Sequence, residues 1–132
     1  MELLVSYAAA LVLFAIIDLT WIKFVTGPVF SQTLGDMMLD DPRPLPAIAF
    51  FVVYQAGLLY LAVLPAIAAG SWIAAATNGA LLGLIAYGTY EATNLATLKR
   101  WTVRMAVLDV VWGVLSSAVC AVAAYLVYFS IL

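Results

Sequence analysis

The chain has 132 residues, 67% of them hydrophobic and 9% charged, with a mean hydropathy of +1.16. A soluble domain is roughly half apolar and about a quarter charged, so this composition excludes a soluble globular protein and predicts a membrane protein. Seven acids against five bases leave a net charge of −2, too balanced for a nucleic-acid partner, and with no histidine no haem or zinc is expected.

At this length residues 1–132 read as one integral membrane domain. A span needs about 20 predominantly apolar residues, and four segments qualify, at about 3–25, 46–69, 72–98 and 102–128. The first begins without a basic leader and reads as a retained helix. Gly27-Pro28 closes it, and a proline-rich approach, Pro42-Arg43-Pro44-Leu45-Pro46, leads into the second. Between these two, Phe30, Leu34, Met37 and Met38 recur at helical spacing over 29–41, which predicts a short amphipathic helix at the membrane interface. Ala69-Gly70-Ser71 and Lys99-Arg100-Trp101 are tight turns that force neighbouring spans to run in opposite directions. The predicted fold class is therefore an all-α membrane protein, an antiparallel bundle of four transmembrane helices. Cys120 falls in the last span, where no disulfide partner exists, and reads as a small packing residue.

All five bases, Lys23, Arg43, Lys99, Arg100 and Arg104, fall at the end of the bundle opposite the termini. By the positive-inside rule that end is cytoplasmic and both termini lie outside the cytoplasm.

Only Asp18, Glu91 and Asp109 place a carboxylate inside a span. Each is seven residues from its cytoplasmic boundary, which at 1.5 Å per residue puts all three about 10 Å deep in one leaflet. In the first span Tyr7, Leu11, Phe14, Asp18, Trp21 and Val25 form a packing seam, and in the last Asp109, Trp112, Gly113, Ser116 and Cys120 share a face. The third span gathers Gly79, Gly83, Tyr87, Glu91, Asn94 and Leu98, with Tyr90 and Thr97 beside them. Gly79 and Gly83 form a small-xxx-small pair for close helix approach. Asp18, Trp21, Gln55, Tyr87, Tyr90, Glu91, Asn94, Asp109 and Trp112 thus form a candidate ligand-binding cluster. An unpaired charge at mid-membrane costs about 2.5–3.5 kcal/mol, so these acids must share protons, cations or donors. Trp21 and Trp112 are candidate indole donors to them.

"AYGTYEATNLATLK" in the third span, with Asp-x-x-Trp in the first and Asp-x-x-Trp-Gly in the last, resembles the membrane protein family termed domain of unknown function 2177. The resemblance covers essentially the whole chain and coincides with the cluster at Asp18, Trp21, Tyr87, Tyr90, Glu91, Asn94, Asp109 and Trp112, and with Gly88 and Gly113. Where that family usually has Asp after Gly-Thr-Tyr and Gly-Trp-Pro after the lysine, this chain has Glu91, Arg100 and Thr102. The resemblance implies a small bacterial inner-membrane protein of four helices and brings no activity. Members are sometimes encoded near fatty-acid-modifying enzymes, which points towards lipid metabolism.

Three functions compete. The leading one is binding or transport of a proton, cation or small polar ligand. Asp18, Glu91 and Asp109 are then also the candidate metal ligands, their oxygens suiting a hard cation. The second is an intramembrane enzyme or accessory protein of lipid or fatty-acid modification, for which no catalytic residue stands out. The third is a structural or assembly subunit. The partners expected are membrane lipids and further copies of this chain or a larger membrane complex.

Overall fold

The computed structural model describes residues 1–132 and is entirely helical. Helix α1 (Glu2–Trp21) passes through a π-helical turn at Ile22–Thr26 into α2 (Gly27–Leu34), and a 3-10 turn at Gly35–Met37 follows. Gly27-Pro28 therefore does not close the first helix. Proline lacks an N–H and its ring collides with the carbonyl four residues back, and the widened turn just before it relieves both problems. Gly27 donates instead to the Ile22 carbonyl, so close that a Cβ at Gly27 would collide with that oxygen. The helix ends only at Gly35, whose φ of 53° lies in the left-handed region. The amphipathic stretch expected over 29–41 is helical to Met37, as a continuation of the first helix.

The second helical stretch repeats the device. Helix α3 (Pro44–Leu58) runs through a π-turn at Leu59–Val63 into α4 (Leu64–Ala69), with Pro65 just after the turn. It stops at Gly70, φ 62°, where Ser71 N–H donates to the Ala66 carbonyl and Gly70 N–H to that of Ile67. This pairing satisfies carbonyls at the helix C-terminus. Helices α5 (Trp72–Thr97) and α6 (Val103–Ser130) each open on a hydroxyl cap: Ser71 Oγ accepts from Ala74 N–H at 3.2 Å, and Thr102 Oγ1 from Met105 N–H at 3.2 Å.

Three stretches, Glu2–Met37, Pro44–Ala69 and Val103–Ser130, are long and apolar enough to cross a membrane. Helix α5 is not among them: Thr77, Asn78 and the polar run from Tyr87 to Thr97 dilute its hydropathy. It is held instead by intimate packing on α6. A Cβ at Gly79 would meet Ser117 O and the Ala121 side chain, and one at Gly83 would meet Gly113 O and Ser117 Oγ. Small residues at 79 and 83 on one helix and at 113, 117 and 121 on the other bring the two backbones into contact. Residue numbers rise on one helix as they fall on the other.

The α1 stripe that is buried is Ser6, Ala10, Phe14 and Asp18, one position off the expected seam in its first half. Ser6 and Ala10 are small enough to admit a neighbouring helix, while Tyr7 lies to the side and donates its hydroxyl to the Val52 carbonyl on α3 at 2.9 Å. Phe14 with Leu58, Ala62, Ala75, Cys120 and Ala124 forms the fully buried apolar core.

Candidate functional site

Asp18 ends the buried stripe of α1. Trp112, on α6, donates its indole N–H to Asp18 Oδ1 at 2.8 Å. Trp21, one turn beyond Asp18, stacks on Trp112 with ring centroids 4.6 Å apart and planes 4° from parallel. The indole N–H of Trp21 is buried without a partner. Trp21 is thus the platform that orients Trp112, where the sequence suggested a second donor to the acids.

Glu91 is 1% exposed on α5. Its Oε2 accepts the indole N–H of Trp101 at 2.5 Å, while Oε1 is buried with no partner. Trp101 belongs to the turn between α5 and α6, and its ring lies edge-on to Tyr90 at 5.8 Å and to Phe30 of α2 at 5.4 Å. Arg100, next in the turn, donates to the Leu34 carbonyl at 2.9 Å and to Asp36 Oδ1 at 2.8 Å. The Arg100 hydrogen bond holds the exposed Asp36 carboxyl below the usual carboxylate range. The continuation of the first helix is thereby tied to the turn that covers Glu91.

Asp109 differs from both other acids. No indole or other N–H donor reaches it; its carboxyl lies against that of Glu91, the two placed to share a proton, and Asp18 is a further acidic neighbour. It lines a cleft of about 340 Å³ together with Phe50, Ala86, Tyr87 and Tyr90. The aromatic walls are fixed from behind. Phe50 stacks on Tyr54 at 5.1 Å, and Tyr54 meets Tyr87 edge-on at 6.2 Å and shares a 2.7 Å hydrogen bond with Ser117 Oγ. A Cβ at Gly113 would collide with the root of the Tyr87 ring, so glycine there seats that ring against α6.

No base pairs with any of the three acids; the ion pairs present are Met1–Glu2 and Arg100–Asp36. Nor do Asp18, Glu91 and Asp109 converge into one metal-holding group. Two of them face indole donors on different elements, which sets their carboxylates towards different partners.

Gln55 is fully buried, but neither amide atom has a partner and it does not line the cleft. Asn94 neighbours Tyr90. The threonines that make α5 look so polar serve their own helix, Thr89 bonding the Ile85 carbonyl and Thr97 that of Thr93. Sequence reasoning missed Trp101, Phe50 and Ser117. Phe50 had a detectable signal, four residues before Tyr54 on the same helical face. Trp101 had none, since a turn residue carries no periodicity.

No curated protein and no solved structure matches the chain. The model of a family described as predicted membrane protein, DUF2177, matches residues 3–126, nearly the full length. The chain belongs to the DUF2177 family of membrane proteins.

Proposed function

We propose that this protein is an antiparallel four-span bundle of the bacterial inner membrane, its termini outside the cytoplasm, that binds a small cationic or polar ligand through Asp109. The observation that carries this reading is the asymmetry among the acids. Indole N–H groups occupy Asp18 and Glu91. Asp109 receives no N–H donor, lies against the Glu91 carboxyl, and faces a cleft. A carboxylate at membrane depth with no base in its own chain to neutralise it is a functional candidate by default, and here the space beside it admits a cation. Asp18 and Glu91 hold the walls, and Trp112 and Trp101 hold those acids.

Methylammonium is a suitable probe. In proteoliposomes the wild type should bind it and, if the site is coupled to transport, take it up, while Asp109→Asn should do neither. Binding and flux unchanged by Asp109→Asn would contradict the reading.

A second reading has one observation in its favour. Phe50 and Tyr90, at the edges of the cleft, are 44% and 54% exposed on the outer surface of the bundle, where lipid lies. That placement suits a protein that receives a lipid-derived molecule, as an accessory of lipid modification would. A lipid profile unchanged by deletion of the protein would remove this support. The many exposed apolar side chains, from Leu4 to Leu126, suit contact with lipid and with further copies of the chain.

A further inference from the structure

We infer that the ligand of the Asp109 cleft is an ammonium group carried on an apolar body, entering sideways from the bilayer between α3 and α5. The inference rests on the binding role proposed for Asp109 and names the chemical class that the cleft selects.

Size argues first. At about 30 Å³ per water-sized group, 340 Å³ has room for about ten non-hydrogen atoms, far more than a bare ion fills. Donor count argues next. A hard inorganic cation needs six or more oxygen ligands in place of its hydration shell, and this cleft offers the Asp109 carboxyl and tyrosine hydroxyls. A neutral polar molecule would leave its own donors and acceptors unpaired against Phe50 and Ala86, which is costly in an apolar setting. An ammonium on a hydrocarbon body fits both parts. Its charge meets Asp109, which no base in the chain neutralises. Its flanks meet Phe50, Tyr87 and Tyr90, and aromatic faces attract a desolvated cation.

The route of entry follows from exposure. Phe50 on α3 and Tyr90 on α5 are the open edges of the cleft, and both lie on the outer surface of the bundle. An occupant arriving there partitions into the bilayer before it binds, which an alkylammonium does and a small inorganic ion does not. The same chemistry exists on a free amine and on an aminophospholipid headgroup.

Calorimetric titration of the chain in nanodiscs tests the class with three probes: octylammonium, methylammonium and octanol. Each probe is also titrated into empty discs, and subtracting those heats cancels partition into the lipid. Octylammonium should bind about tenfold tighter than either of the others. Asp109→Asn, its helical circular dichroism unchanged, should abolish that difference, and Phe50→Leu should weaken octylammonium several-fold. If octylammonium binds no tighter than methylammonium, the inference fails while the binding role of Asp109 stands. If it binds no tighter than octanol, charge plays no part and both fail. Discs of phosphatidylcholine and of phosphatidylethanolamine, both zwitterionic but only the second with an N–H donor for the carboxylate, separate the two sources. Weaker octylammonium binding in the second identifies the lipid headgroup as a competing occupant, and equal binding supports a free amine.

Discussion

An indole N–H donated to a carboxylate where water is scarce is a charge-assisted hydrogen bond with nothing to replace it. Trp112–Asp18 and Trp101–Glu91 are two such bonds, one made from the N-terminal half of α6 and the other from the turn before it. Replacing Trp101 by Phe keeps an aromatic ring against Tyr90 and Phe30 but leaves Glu91, buried, without a donor. Breaking a hydrogen bond to a charged group costs about 1.5–3 kcal/mol, and reversible unfolding in mixed micelles should show a loss of that order. Asp109→Asn breaks no indole bond, and its amide can still donate to Glu91, so it should shift stability by no more than about 0.5 kcal/mol. Equal destabilisation by both variants would show that the Asp109–Glu91 contact is structural. At this scale the sequence exposed the acids, because a carboxylate among valines and leucines is conspicuous. It could not show which acid stays without an indole donor, since that depends on where Trp101 and Trp112 point.

Two helical contacts set the shape of the cleft. Tyr87 can lie flat on α6 only because residue 113 has no side chain, and α5 can reach α6 only because residues 79 and 83 have none. Gly113→Ala forces the Tyr87 ring outward into the cleft. Such overpacking costs about 1–3 kcal/mol, visible as easier unfolding, and probe binding should weaken with it. Gly88→Ala on α5, where no neighbour lies within reach of a Cβ, should leave both unchanged.

The link from α2 to the turn is also testable. Arg100→Gln removes both bonds to Leu34 and Asp36, so amide exchange should quicken over α2 and over Lys99–Trp101. The sign of its pH dependence follows from Asp36. A carboxyl held below its ordinary value keeps its ion pair above that value and loses it as pH falls through the lowered one. The protection factor in this region, the intrinsic exchange rate divided by the observed one at each pH, should therefore be flat from pH 8 to about 5 and fall only below about pH 4. A fall between pH 7 and 5 would show that another group controls the contact. Of these element-level features, the four helical stretches and the glycine face of α5 were legible in the sequence, though only three of the four are apolar enough to cross a membrane. The π-turns at Ile22–Thr26 and Leu59–Val63 were not, because proline signals a break and a widened turn cancels it.

For the molecule as a whole, hydropathy and the gathering of every base at one end carried the reading of spans and orientation. In a membrane whose cytoplasmic face is sealed, a cysteine introduced at Ser130 should react with an impermeant maleimide added outside, and one introduced at Met38 should not. The reverse pattern would invert the bundle and place the cleft in the outer leaflet.

The central claim is that, of three intramembrane acids, Asp109 alone is open to a molecule arriving from the bilayer. Native membranes treated with a hydrophobic carbodiimide, then digested and mapped by peptide mass spectrometry, test it directly. The modification should fall on Asp109, with Asp18 and Glu91 spared behind their indoles. Labelling led by Asp18 or Glu91, or undiminished in Asp109→Asn, would contradict the account.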